Sequence, residues 1–269
     1  MEDFLAYDEI QKKLRKFFSS NKRFIEVPAQ TKRSILSACE DPNTVSTFEF
    51  RGEDWPLPQT GQMILEEILL KNPEIERVFC STTSYRNEPN PIPGRHDLIF
   101  PMFEFEGKGG IHNLEKLEEE LLEYLGFAAP KKIFYEEACK NYGVDFIAAE
   151  QEDKLCKDYN GPVMLHTFPR RTHPFWNMEH NGRDLYNKID VLLKGIETIG
   201  SAERSCNVEE MREDFMTISN GQYRQKLFDL FGEKRVMQEL DSYFSLKMFP
   251  RFGGGIGITR LCRAMQRKD

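Results

Sequence analysis

Apolar and polar positions follow two periods along this chain, and where the period changes the elements change. Residues 7–21 carry Ile10, Leu14, Phe17 and Phe18 at helical spacing among lysines and arginines, which predicts an amphipathic helix. Phe24-Ile25-Glu26-Val27, stopped by Pro28, predicts a short strand. Residues 48–50 read as a strand edge and 62–71 as a helix. The stretches 78–88 and 99–105 predict two strands around the turn-rich loop Pro89-Asn90-Pro91-Ile92-Pro93-Gly94. A second amphipathic helix covers 113–125, with Leu114, Leu117, Leu121 and Leu122 on one side, and a third helix covers 135–142. Strands are expected at 163–168, 186–193 and 197–205, and helices at 207–217 and 222–231. Gly253 to Gly257 forms a glycine-rich strand or turn leading into a last helix, 258–267. The strands join through short or irregular segments rather than regular βαβ units. The pattern therefore predicts an α+β fold with an antiparallel sheet.

Composition narrows the class. With 269 residues, 39% apolar and 30% charged, the chain is long enough for a substantial core, and it shows no internal repeat and no linker. It reads as one domain, 1–269. No apolar run approaches the roughly 20 residues that cross a bilayer. The start, Met1-Glu2-Asp3, is acidic where a signal peptide is basic, so a cytoplasmic location is expected. Thirty-seven basic against 44 acidic residues give −7, which argues against a dedicated nucleic-acid binder. The six cysteines form no CxxC pair and the five histidines no HExxH. Reduced thiols are the simpler reading, and His112, His166, His173 and His180 show no evident partners.

Three constellations carry candidate chemistry. Arg86 and Glu88 lie two apart on one strand and share a face; Arg95 and His96 follow in the loop; Phe100, Glu104 and Glu106 share a face of the returning strand. An arginine fork suits a phosphate, and facing carboxylates suit an ammonium or a metal. The same spacing also serves a surface hairpin with ordinary ion pairs. Asp190 and Glu197, at the end of one strand and the start of the next, have the donor set of a Mg²⁺ site, or are plain loop carboxylates; Arg204 follows seven residues on. Gly253-Gly254-Gly255-Ile256-Gly257, followed by Arg260 at a helix start, lets backbone approach a ligand closely. It is neither a Walker A loop nor a Rossmann fingerprint.

Taken together and in this order, the motifs resemble the catalytic core of class II aminoacyl-tRNA synthetases, closest to the aspartyl and asparaginyl branch. Helix 7–21 with Phe24 to Pro28 resembles motif 1, Arg86 through Glu106 motif 2, and Gly255-x-Gly257-x-x-Arg260 motif 3. Gln59-Thr60-Gly61-Gln62 resembles the substrate-loop segment, and His166–Pro169 through Pro174–Met178 the branch's Tyr-Pro…Phe-Tyr-Met segment. The likeness runs from about residue 7 to 267.

The resemblance implies a six- to seven-stranded antiparallel sheet flanked by helices, ATP and Mg²⁺ as cofactors, and a homodimer formed through Phe24 to Pro28. It implies that Arg86 grips the α-phosphate and the substrate carboxylate, Glu88 reads adenine, and Phe100 and Arg260 sandwich the ring. Arg95 and His96 would hold the outer phosphates, with Gly257 and Glu197 also at the nucleotide. Asp190 and Glu197 would hold the metal, Gln62 and Glu104 would face the amino acid, and Arg204 its side chain. Several positions depart from the pattern: Ile99, Thr259, Arg251 and Phe252 replace usual family residues, and Leu65 replaces the lysine of aspartyl enzymes. Glu104 is the asparaginyl-like choice. The chain begins at motif 1 and ends after motif 3, so a core without the anticodon-binding barrel is expected. Three functions follow. The first is a ligase that activates aspartate, asparagine or a similar amino acid as its adenylate for a small non-tRNA acceptor. A trimmed enzyme charging tRNA is less favoured by the acidic balance. The third is a regulatory paralogue that binds without turnover.

Overall fold

The apolar stripes predicted for the helices at 7–21 and 113–125, joined by one face of the last helix, cover one side of a single large sheet. A computed structural model describes residues 3–29, 32–38, 42–182 and 184–266. Helix α1 (Phe4–Arg15), capped by the Asp3 side chain, runs on as a π-helical segment, Lys16–Asn21, and strand β1 (Ile25–Glu26) follows. The hairpin β2 (Thr47–Phe50) and β3 (Glu53–Pro56) precedes α2 (Gln62–Lys71). Then come β4 (Arg77–Tyr85), β5 (Ile99–Lys108), α3 (Ile111–Leu125), β6 (Lys131–Phe134), α4 (Tyr135–Tyr142) and α5 (Ala149–Asp158). The second half runs β7 (Val163–Pro169), β8 (Leu185–Leu193), β9 (Ile196–Arg204), α6 (Val208–Thr217), α7 (Gln222–Phe231), α8 (Glu233–Phe244), β10 (Arg251–Gly257) and α9 (Ile258–Gln266).

The sheet has eight strands in the order β1-β4-β5-β10-β9-β8-β7-β6. This corrects the expectation of six or seven antiparallel strands. The added member is β6, a four-residue edge strand in which only Ile133 is buried, so its side chains leave no period to read. The central pairings are antiparallel, but both edges are parallel, β1 with β4 and β6 with β7. Residues 48–50 belong to the separate two-stranded hairpin.

Side-chain alternation gives the sheet two unlike faces. On one, Phe79, Phe103, Phe105, Ile189, Ile199, Phe252 and Ile256 join Leu14, Phe18, Leu114, Leu121, Leu122 and Leu261 in one buried cluster beneath α1, α3 and α9. Helix α3 ends where Gly126 turns left-handed at φ 89°, a conformation glycine adopts at little cost. A second cluster, around the fully buried Trp176, unites α6, α7 and α8 with Ile35, Leu36 and Met63. Of His112, His166, His173 and His180, three do have partners: His166 Nδ1 lies 3.1 Å from Glu115, His180 Nε2 lies 2.7 Å from Asp214, and the exposed His112 Nδ1 lies 3.5 Å from Glu115. No helix of the described residues is long and apolar enough to cross a membrane.

Candidate active site

The opposite face is polar and floored by glycine. Register sets Glu104 of β5 against Gly255 of β10 and Gly255 against Gly200 of β9. A Cβ on Gly255 would come within 2.7 Å of Met102 Cε, and one on Gly253 within 1.9 Å of Glu106 Oε1. Glycine at 253 is therefore required for Glu106 to lie across the strand. At 255 it leaves room above the sheet.

Two hollows of about 190 and 160 Å³ open on this floor and share Arg86, Met102, Glu197, Gly200 and Gly255 in their walls. The first is lined also by Glu88, Arg95, His96, Phe100, Gly257 and Arg260. The eight residues expected at a nucleotide thus share one cavity, although Arg86 and Arg260 stand 174 positions apart in the chain (260 less 86). Arg86 leaves the end of β4, where its N–H donates to the Leu98 carbonyl at 2.7 Å. Arg260 lies in the first turn of α9 and donates from Nη1 to the Glu197 carbonyl at 2.7 Å. The loop between β4 and β5 is tied down on both sides. Arg95 is ion-paired with Glu152 of α5, and Arg263 of α9 donates to the Gly94 carbonyl at 2.8 Å and to Asp97.

The second hollow is lined by Gln62, Glu104 and Arg204, together with Lys188, Glu66 and Asn177. Glu104 is buried, and its oxygens accept from the Gly61 N–H and from the Thr60 and Thr82 hydroxyls. Burial raises its pKa against these donors. Its work is to shape the Thr60–Gln62 wall. Gln62, with its amide turned to satisfy its neighbours, accepts from Arg204 Nη2 at 3.0 Å. Leu65 is fully buried in another apolar cluster.

Arg204 belongs to a buried cluster that sequence reasoning did not find. Its Nε and Nη2 donate to Glu106 Oε1 at 3.0 and 2.6 Å. Arg251 donates from Nε to Glu66 Oε2 at 2.9 Å, and the Tyr243 hydroxyl and Asn177 amide each donate to Glu66 at 2.7 Å. Two cations thus face two anions with almost no exposure. Burial, only partly offset by Arg204, pushes Glu106 up to about 8. Burial also opposes the charge on Arg204, but Glu106 and Glu66 outweigh it and raise its pKa. A signal existed for Glu66: unlike its neighbour Glu67, it falls on the buried face of the helix with Met63, Leu69 and Leu70.

The two carboxylates expected at a metal converge over Gly200. Glu197 Oε1 lies 2.9 Å, and Asp190 Oδ1 3.7 Å, from where a Cβ on Gly200 would stand. Asp190 is buried and pairs through Oδ2 with Lys188 at 2.8 Å, while Oδ1 is buried without a partner. Burial, with Glu197 nearby, pushes Asp190 up to about 7. Among the described residues no group of three or more His, Cys, Asp or Glu could hold a metal. Two converging carboxylates, one of them with an orphaned oxygen, fit Mg²⁺, which completes its shell with outside oxygens. Asp190 itself lies just behind both hollows rather than in their walls.

Comparison with known proteins bears on the family and the fold. The family model for class II tRNA synthetases (D, K and N) matches residues 2–269. An asparagine–tRNA ligase of Desulforamulus reducens is 23% identical over 293 positions, covering 94% of this chain and 63% of that protein. One from Mycoplasmopsis pulmonis is 21% identical, over 80% and 45%. The chain therefore spans less than two thirds of the curated relatives it matches. Asparaginyl-tRNA synthetase from Pyrococcus horikoshii, solved with asparaginyl-adenylate, superposes with a TM-score of 0.79 at 19% identity, over 97% of this chain and 64% of that one. The Entamoeba histolytica asparaginyl enzyme gives 0.76 at 19%, over 97% and 63%. At such identity the likeness is one of fold.

Proposed function

We propose that this chain, which belongs to the class II tRNA synthetases of the D, K and N family, is an ATP-dependent, AMP-forming ligase core that activates aspartate, asparagine or a similar amino acid. The observation that carries the reading is the pair of hollows sharing Arg86 and Glu197 in their common wall. One is lined by the cations and aromatic ring that suit a nucleotide, the other by the polar groups that suit an amino acid.

The amino acid's carboxylate oxygen attacks the α-phosphorus, the new O–P bond forms, the bond to the β-phosphate breaks and pyrophosphate leaves. No side chain need act as nucleophile, so the rate comes from positioning and charge neutralisation. Arg86 stands between the hollows, where the α-phosphate and the carboxylate would meet. Glu88 would read the adenine amino group, with the ring between Phe100 and Arg260. Arg95 and His96, held by the anchored loop, would take the outer phosphates. Asp190 and Glu197 would hold Mg²⁺, which supplies charge neutralisation at the phosphates.

For the acceptor, we favour a small non-tRNA amine over tRNA, on the net charge of −7. Transfer to tRNA is the second reading, favoured by the asparagine–tRNA ligases among the relatives. Homodimerisation would use the β1 edge, where Ile25 is half exposed and Pro28 is exposed; Phe24 is buried in this chain's own core. An ATP–pyrophosphate exchange screen over all amino acids, with and without tRNA, tests the reading. Exchange that depends on one amino acid is expected, and exchange with none would refute it. A salt-sensitive tRNA gel shift would move the choice of acceptor to tRNA.

A further inference from the structure

We propose that Lys188 is a specificity-determining residue that acts with Arg204 as a two-cation clamp for an amino acid bearing a carboxylate side chain. This rests on the amino-acid-activating reading above and deepens it. Strand register brings the two together. Lys188 of β8 lies opposite Ala202 of β9, and Arg204 follows two residues on, so the cations are diagonal neighbours on one face, within reach of one small ligand group. Both side chains line the amino-acid hollow.

Lys188 is held in place before any ligand arrives. Its Nζ sits 3.9 Å from the ring centroid of Phe168 and 2.8 Å from Asp190 Oδ2. Phe168 is buried and reaches this position through the irregularity in β7 at Thr167, whose φ is 58°. The ring desolvates one side of the ammonium and favours its charge. Asp190 lies behind the wall, so the pair anchors Lys188 without placing a carboxylate in the hollow.

Two nearby anions belong to the site itself: Glu106 holds Arg204 Nε and Nη2 through Oε1, and Glu197, also in the wall of the hollow, stands beside Asp190 over Gly200. The other two are committed elsewhere. Glu66 accepts from Arg251, Tyr243 and Asn177, and Glu104 accepts from Gly61, Thr60 and Thr82. Lysine and arginine only donate. A side-chain carboxylate can accept from both, with one oxygen toward each cation. A carboxamide must turn its NH₂ toward one of them and loses that bond. The arrangement therefore discriminates by charge and by donor pattern together.

Aspartate- and asparagine-dependent pyrophosphate exchange test this in the intact chain. Wild type is expected to prefer aspartate. Lys188→Met should lower kcat/KM for aspartate about 10- to 100-fold, chiefly through KM, and lower that for asparagine about tenfold less, through the shared loss of the Asp190 partner. Lys188→Arg should restore part of the preference. Should the methionine variant fail to fold, as read by its melting curve, Lys188→Gln serves in its place. Preference for asparagine in wild type, or an equal fall for both substrates, would overturn the clamp while leaving amino-acid activation standing. Exchange with no amino acid would overturn both.

Discussion

Arg251 and Glu66 have no side-chain exposure, and Arg251 would be stranded without Glu66. Replacing Glu66 by Met removes the acceptor for Arg251 Nε, for the Tyr243 hydroxyl and for the Asn177 amide. Arg251 keeps only the Ser205 and Phe249 carbonyls, at 3.2 and 3.3 Å, and the Tyr243 hydroxyl. Breaking a buried pair from one side costs about 3–5 kcal/mol, because an uncompensated charge remains in the interior. For a domain near this size each kcal/mol moves the melting temperature by about 2–4 °C, so a fall of roughly 6–20 °C is expected. Arg251→Met should cost less, because Glu66 keeps the Tyr243 and Asn177 donors and lies 3.6 Å from Arg204 Nε. The double variant, with both replaced by methionine, fills similar volume and leaves Glu106 and Arg204 still matched, so it should be more stable than either single variant. Urea denaturation of the four proteins gives the cycle directly. A cost below about 1 kcal/mol for either single variant, or a double variant whose loss is the plain sum, would refute the reasoning.

Other expectations concern the site and its support. Arg86→Ala should lower pyrophosphate exchange by about 10²–10³, the loss of one preorganised donor, with an unchanged melting curve. Gly255→Val would put methyl groups on the floor between the hollows, where even a Cβ meets Met102 Cε at 2.7 Å; steady-state kinetics should show roughly 100-fold lower kcat/KM for both substrates. Arg263→Ala should loosen the β4–β5 loop and raise KM for ATP about fivefold, with KM for the amino acid unmoved. Glu118 is fully buried under β9 near Ser201, and burial, helped by the Asp190 and Glu115 carboxylates, pushes it up to about 8. Its folded-state pKa is above the unfolded one, so its contribution is whole below about 4.5 and is lost as pH rises towards 8. Denaturation of Glu118→Gln across that window should show a shallower decline than wild type, and parallel curves would exclude the idea.

Much of the frame was legible because it is written in short-range patterns. Helices α2, α4 and α7 span the residues expected, and the motif-bearing strands fall within a few residues of theirs. The pairing of Arg86 with Arg260 in one cavity followed from a resemblance, since no local pattern links positions so far apart. Helix α5 was missed because its only fully buried residues are the adjacent Leu155 and Cys156, too few to show a period. Helix α8 was missed although Val236, Leu240, Tyr243 and Phe244 recur at helical spacing just beyond Gly232. The parallel edge pairings and the Glu66–Arg251 cluster depend on contacts between remote segments, 185 residues apart for that pair, and periodicity carries no information about those. The roles given to Glu104 and Arg95 show the same limit. Their spacing marks them as site residues, but only the fold reveals that Glu104 is taken up by the Thr60–Gln62 wall and that Arg95 lines the nucleotide hollow while anchored to Glu152.

If the two hollows are one reaction chamber, a single molecule should fill both. The direct measurement is calorimetric titration with a non-hydrolysable aspartyl-adenylate analogue, in the presence and absence of ATP and aspartate. One analogue per chain, bound more tightly than either substrate and excluding both, is the result expected, with affinity lost in Arg86→Ala. Independent binding of ATP or aspartate to protein already saturated with the analogue would contradict it.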